Sequence, residues 1–267
     1  MASPDHDLVP LLDKDGVRLT VDDAIATVTL TNPAKRNAQS PALWRALAEA
    51  GRLLPGAVRV VVLRAEGKSF SAGLDRQAFT PEGFDGEPSF LDLARGSDAE
   101  LDATIAEYQE AFTWWRRSDI VSVAAVQGHA IGAGFQLALA CDLRVVADDV
   151  QFAMRETSLG LVPDLTGTHP LVGLVGYARA LEICVTGRSV PAEESVRWGL
   201  ANIAVPAAEL DAAVQDLTSA LLAAPRDAVI ETKALLQSAR TQTYESQRAA
   251  ERAAQARRLR DLAGIGE

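Results

Sequence analysis

Cysteine is nearly absent. Cys141 and Cys184 are the only two in 267 residues, too few for a disulfide framework or a cysteine-rich zinc site. Both stand in apolar helical stretches, LALACDL and ALEICVTG, which predicts buried, reduced thiols in a cytoplasmic protein. Histidine is as scarce. His6, His129 and His169 are scattered along the chain, so no metal centre built on histidines is expected. Positive charge also falls short, with 26 Lys and Arg against 36 Asp and Glu and a net charge of −10. General nucleic-acid binding rests on neutralising phosphates, and this balance makes the chain a poor candidate for it, so no nucleic-acid partner is expected. No uninterrupted apolar run reaches the about 18 residues of a membrane span. The N-terminal MASPDHDLVPLLDKDG is acidic, where a secretory leader needs a basic stretch ahead of an apolar one. Neither a membrane nor a leader is expected.

What the chain does have is core material. Hydrophobic residues make up 48% and charged residues 23%, the balance of a folded domain and not of a disordered one. Residues 1–14 read as a flexible arm. VRLTV and AIATVTLT flank Asp22-Asp23 as a hairpin would. Ser40-Pro41 opens a helix, with Ser as N-cap and Pro in the first turn. VRVVVLRA (58–65), IVSVAAV (120–126) and LRVVA (143–147) are short, nearly continuous apolar runs, typical of strands buried on both faces. Between the first two, residues 76–99 hold Pro81, Gly83, Gly86, Pro88 and Gly96 and read as a long surface segment. A helix is predicted over about 98–117 and another from Gly132 to Cys141. After Phe152 comes a loop, then helices near 167–183, 192–198, 208–223, 226–239 and 243–262, with a last strand in LANIAV (200–205). The fold class is α/β, with a core over 15–205 and a helical section over 206–267.

Two turns carry the chemistry. Ser69-Phe70-Ser71-Ala72-Gly73-Leu74-Asp75 follows the strand at 58–65. Gly128-His129-Ala130-Ile131-Gly132-Ala133-Gly134 follows the strand at 120–126 and opens a helix, whose first N–H groups lack internal acceptors. Small residues let a ligand approach the backbone. Two such turns side by side can aim two N–H groups at one carbonyl oxygen, forming an oxyanion hole. The competing account is a pair of ordinary tight turns. The spacing of Gly128, Gly132 and Gly134 does not match the G-x-G-x-x-G of a dinucleotide site.

Phe70-Ser71-Ala72-Gly73-Leu74-Asp75 resembles the F-x-A-G-x-D motif of the enoyl-CoA hydratase/isomerase, or crotonase, family. Ala125 to Gly134 resembles its A-V-x-G-x-A-x-G-x-G motif, Cys141-Asp142 its C-D, and Asn32-Pro33 through Asn37-Ala38 its N-P…N-A segment. The block Phe152, Glu156, Leu159, Gly160, Pro163, Gly167, Thr168 matches too. The resemblance runs from about Val17 to Leu236. It implies a crotonase-like spiral of ββα units with a helical C-terminal trimerisation section, assembled as a homotrimer or a dimer of trimers. It implies an acyl-CoA substrate and no further cofactor, since coenzyme A is part of the substrate. The oxyanion donors carried over are the N–H groups of Ala72 and Ala133. Lys35 and Arg36 are candidates for the CoA phosphates, and Ala38, Gly73, Leu74, Asp75 and Gly132 line the substrate site.

Hydratases of this family use two glutamates twenty residues apart. Here the later position is Glu156, but the earlier one holds Gln136, which can hold a water but cannot accept its proton. Asp164, eight residues after Glu156, stands where the family's dienoyl-CoA isomerases carry an aspartate. A helix N-cap is the competing reading for it. The expected catalytic set is therefore Glu156, Asp164 and Gln136, and the expected reaction is double-bond isomerisation or weak hydration. The alternative is an acyl-CoA-binding protein that has lost hydratase activity through Gln136. His129 reads as a structural or rim residue, Trp114 and Trp115 as packing, and the arginines from Arg240 to Arg260 as a solvated or subunit-facing helix.

Overall fold

The computed structural model describes residues 8–84 and 86–265. The chain begins with the antiparallel strands β1 (Leu12–Lys14), β2 (Val17–Asp22) and β3 (Ile25–Leu30). The β2–β3 hairpin turns through Asp23 at a φ of 50°, a left-handed conformation that aspartate tolerates. Helix α1 (Pro41–Leu53) starts as its sequence predicts, with the Ser40 hydroxyl accepting the Leu43 N–H at 3.3 Å. Strand β4 (Val60–Ala65) follows, then the short α2 (Phe90–Leu93), α3 (Asp98–Thr113), β5 (Val121–Val126), β6 (His129–Ile131), α4 (Ala133–Ala140), β7 (Leu143–Ala147) and β8 (Gln151–Ala153). The remainder is α5 (Thr168–Val175), α6 (Tyr177–Thr186), β9 (Val190–Pro191), α7 (Ala192–Arg197), β10 (Ile203–Val205), α8 (Leu210–Ala223), α9 (Arg226–Ser238) and α10 (Tyr244–Leu262).

The main sheet has the order β1-β2-β3-β4-β5-β7-β10 and is parallel from β3 onward. Its central strands β4, β5 and β7 are largely apolar on both faces because both are covered. Val61, Leu63, Ala124 and Val146 belong to the large core that includes Leu43, Trp44, Leu47, Phe112 and Leu137. Val60, Val62, Val123, Ala125 and Val145 form a second core with Leu210 and Val214 of α8. Each fully buried valine or leucine contributes about 1.5–3 kcal/mol, and this two-sided burial holds β4 and β5 in fixed register under the two turns that leave them.

The structure corrects several sequence expectations. Leu12–Lys14, read as part of a flexible arm, pair with β2; residues 1–7 of that arm lie outside the described residues. The segment 76–99 contains a 3₁₀ turn over Arg76–Phe79 and the helix α2. The helix expected over 167–183 is two, α5 and α6, broken at Gly176. A second sheet, β6-β8-β9, was not legible, since strands of two or three residues carry no period. Cys141 is buried and its thiol is pushed up to about 12 by that burial, whereas Cys184 is only half-buried. No helix among the described residues is long and apolar enough to cross a membrane.

Candidate active site

Both glycine-containing turns leave the main sheet and meet at the second one. The Ser71 N–H donates to the His129 carbonyl at 2.9 Å, and the Ile131 N–H donates to the Ser71 carbonyl at 3.0 Å. Gly73 sits at a φ of +84°, and a β-carbon there would collide with the Ile131 carbonyl oxygen. Glycine is thus required twice, for the left-handed backbone and for the close approach. The second turn runs into α4, whose N-cap is Gly132. The Ala133 N–H, first in the helix, has no intrahelical acceptor.

The first turn does not use its N–H groups as expected. The Ala72 N–H donates to the Arg36 carbonyl at 2.9 Å, so Ala72 is not an oxyanion donor. The Gly73 N–H donates to the Ser71 hydroxyl at 3.2 Å. The Leu74 N–H has no acceptor among the described residues. Leu74 and Ala133 line the same cavity of about 380 Å³, each with a backbone N–H that the fold leaves without an acceptor. The sequence placed Leu74 in the substrate site and the donor at Ala72, whereas the free N–H of this turn is that of Leu74. The deciding bond, to Arg36, comes from a segment far away in sequence.

Glu156 enters the same cavity from the head of a 3₁₀ turn that follows β8. Its Oε1 lies 3.2 Å from where a β-carbon on Gly132 would stand, at the start of α4. Gln136, in the first turns of α4 and 1% exposed, donates from Nε2 to Glu156 Oε1 at 2.7 Å. The Gln136 Oε1 accepts the N–H groups of Leu165 at 2.9 Å and Gly167 at 3.3 Å. Those two donors fix which end of the amide is oxygen. Gln136 is therefore spent on protein groups and does not line the cavity; it holds Glu156. The other carboxylate oxygen, Oε2, is buried with no hydrogen-bond partner among the described residues. Burial pushes the Glu156 carboxyl above the ordinary glutamate range, and the nearby Asp164 charge adds to this, while hydrogen bonds from backbone and Gln136 oppose it.

Asp164 lies on the loop before α5. It does not cap that helix, whose N-cap is Gly167. Its side chain reaches water, yet the protein around it raises its carboxyl through desolvation. It stands near enough to act on Glu156 through its charge but is not among the residues that line the cavity.

An outer cavity of about 660 Å³ shares Ala72, Leu74, Arg76 and Ile131 with the inner one and adds Lys35, Arg36, Ala38, Asp75 and His129. The Lys35 ammonium pairs with Asp75 at 3.2 Å, and Arg36 is a left-handed residue closing a 3₁₀ turn. The inner cavity adds Gly73, Gly132, Phe79, Arg155, Leu159 and Leu161. Leu159 stands in the matched block around Glu156, whereas Phe79, Arg155 and Leu161 come from segments that no motif marks.

The raised Glu156 carboxyl has a cost in stability. Below the ordinary glutamate value of 4.5 both folded and unfolded chains hold the proton, and the group costs nothing. As pH rises through that value and then through the folded one, the unfolded chain ionises first and stability falls. Glu156→Gln removes the penalty. The variant is expected to melt above the parent at pH 7, with the gap closing below about pH 4. Thermal unfolding at the two pH values checks this, and a variant less stable at pH 7 contradicts it.

Residues 20–261 match the family model described as enoyl-CoA hydratase/isomerase. A Thermobifida fusca YX protein provisionally described as an enoyl-CoA hydratase, solved with CoA, is 51% identical, with 93% of this chain and 95% of that chain covered and a TM-score of 0.89. A structure of the same description and organism with acetoacetyl-CoA is 51% identical, with 92% and 95% covered and a TM-score of 0.88. The 4-chlorobenzoyl coenzyme A dehalogenase-2 of an Arthrobacter species is 32% identical over 230 residues, 84% of this chain and 78% of its own length.

Proposed function

The chain belongs to the enoyl-CoA hydratase/isomerase family, and from that premise we propose that it is a cytoplasmic enzyme that moves protons α to an acyl-CoA thioester. Double-bond isomerisation is the favoured reaction and hydration a weak one. The observation that carries this is the single carboxylate of Glu156, tethered through one oxygen by Gln136 and unpaired at the other, in the cavity of the Leu74 and Ala133 N–H groups. The two relatives solved with CoA and acetoacetyl-CoA support the ligand class. The thioester carbonyl takes the two N–H bonds, and the CoA portion follows the outer cavity past Lys35 and Arg36.

In the reaction proposed, Glu156 Oε2 removes a proton from the carbon next to the thioester of a 3-enoyl chain. The electron pair of the C–H bond moves into the thioester, and the two N–H groups stabilise the oxyanion. Return of a proton at the far carbon of the conjugated system shifts the double bond. Asp164 is the candidate for the second carboxyl. No redox partner or further cofactor enters. Hydration needs a second group to activate and hold water, and Gln136 has its oxygen committed to Leu165 and Gly167. The assembly we propose is a homotrimer or dimer of trimers built on α8 to α10.

Absorbance assays with crotonyl-CoA, a 3-enoyl-CoA and a dienoyl-CoA test the assignment, beside calorimetry of the same ligands. Turnover of the 3-enoyl or dienoyl thioester well above crotonyl-CoA hydration is expected. Saturable binding without turnover of any of them defeats the enzyme reading and leaves an acyl-CoA-binding protein. No binding at all defeats both.

A further inference from the structure

Behind the first turn lies a buried polar network that proton transfer does not use. Asn37, Gln39 and Ser71 are fully buried and Trp44 is 3% exposed. The Trp44 indole N–H donates to Gln39 Oε1 at 2.7 Å, and Gln39 Nε2 donates to the Ser71 hydroxyl at 3.2 Å. That hydroxyl donates onward to the Asn37 carbonyl at 2.7 Å and accepts the Gly73 N–H at 3.2 Å. The Gly73 carbonyl in turn accepts the Gln39 backbone N–H at 2.8 Å, and the Gln39 carbonyl accepts the Asp75 N–H at 2.8 Å. Buried polar groups satisfied this fully make a rigid unit.

The consequence falls on Leu74. Its N–H belongs to the same planar, trans peptide as the Gly73 carbonyl, so the two point in opposite directions. Holding the carbonyl on Gln39 turns the Leu74 N–H away from Gln39. Holding the Gly73 N–H on the Ser71 hydroxyl fixes the preceding peptide, and Gly73 between them cannot swing. Ser71 also sets the spacing of the two turns. Its backbone bonds to His129 and Ile131, and a β-carbon on Gly134 of α4 would stand 2.7 Å from the Ser71 β-carbon and carbonyl oxygen.

We infer that Ser71, braced through Gln39 and Trp44, is a positioning residue that sets the direction of the Leu74 N–H and its separation from the Ala133 N–H. The inference rests on the oxyanion reading given above. The competing role for Ser71 and Trp44 is core filling alone.

The test uses the full chain, the variants Ser71→Ala and Trp44→Phe, and a conjugated dienoyl-CoA as probe. The absorbance of such a thioester moves to longer wavelength as its carbonyl is polarised. Affinity and melting temperature are measured alongside. The parent is expected to shift the bound probe to the red. Ser71→Ala is expected to lose most of that shift and to lower kcat by about 10–10², less than the deletion of a whole donor, with Kd nearly unchanged. Trp44→Phe keeps most of the ring volume and drops the N–H, so it loses less of the shift, in the same direction. A Ser71→Ala variant that keeps the full shift, even with a lowered melting temperature, overturns the inference and leaves core filling. A parent that gives no shift overturns the oxyanion reading itself, and the inference with it.

Discussion

Glu156→Gln is expected to lower kcat by about 10²–10⁴, the usual worth of a positioned general base, while acyl-CoA affinity stays close to that of the parent. The substitution is nearly isosteric. The new amide oxygen can accept the Gln136 Nε2–H that Glu156 Oε1 accepts at 2.7 Å, and the amide nitrogen takes the place of Oε2, the oxygen without a partner. What disappears is the ability to take a proton. The parent's rate should also carry an acid limb above the ordinary glutamate range, because burial raises this carboxyl and only its ionised form is a base. Saturation kinetics with the best enoyl-CoA substrate, together with calorimetry, separates the two effects. Unchanged turnover removes Glu156 from the mechanism. A collapse of binding with kcat intact makes it a binding residue. The variant's expected gain in melting temperature at pH 7 guards against misfolding as the explanation for a lost rate.

The parts of this site that were legible in the sequence are those written locally. A buried strand, a glycine-containing turn and a helix start follow one another at 120–140, and α4 begins one residue after the expected Gly132. Glu156 and Gln136, twenty positions apart, do meet, at 2.7 Å. What the sequence hid depends on distant pairings. The Ala72 N–H is consumed by Arg36, and the Gly73 carbonyl by Gln39, both on the segment before α1. Only their bonds show that the free donor is Leu74. Gln136 was placed in the catalytic set as a side chain able to hold a water. Its role as a tether became visible only when Leu165 and Gly167 supplied the N–H groups that turn its amide toward Glu156. Asp164 was open between an N-cap and a second carboxyl. The start of α5 at Thr168 removes the cap.

These two sets of bonds do different work on one cavity. The segment before α1 takes the Ala72 and Asp75 N–H groups, the Ser71 hydroxyl takes that of Gly73, and the Leu74 N–H between them stays free, while Gln136 takes one oxygen of Glu156 and leaves the other. Each active group is thus what remains after its neighbours have been satisfied within the fold. Preorganisation of this kind is fixed during folding, so little reorganisation is needed when charge develops.

Removal of the second donor follows from the same logic and has the larger structural safeguard. Ala133 is the first residue of α4, the position at which proline is best tolerated because that N–H has no helical acceptor in any case. Ala133→Pro therefore deletes a donor without breaking a backbone bond of the fold. The variant is expected to fold with a melting temperature near that of the parent and to lose about 10²–10³ in kcat, the measured worth of one oxyanion donor in other enzymes. The ring carbon that replaces the hydrogen also occupies part of the carbonyl's place, so comparison is made at saturating thioester and with the red shift of a bound dienoyl-CoA. Ala133→Gly serves as the matched control: it keeps the N–H, removes only a methyl, and is expected to turn over at nearly the parent rate. A folded Ala133→Pro variant with parental kcat and an undiminished red shift shows that the carbonyl does not use this N–H. Equal losses in the proline and glycine variants trace the effect to the side chain at 133, and then the head of α4 contributes shape to the cavity and no hydrogen bond.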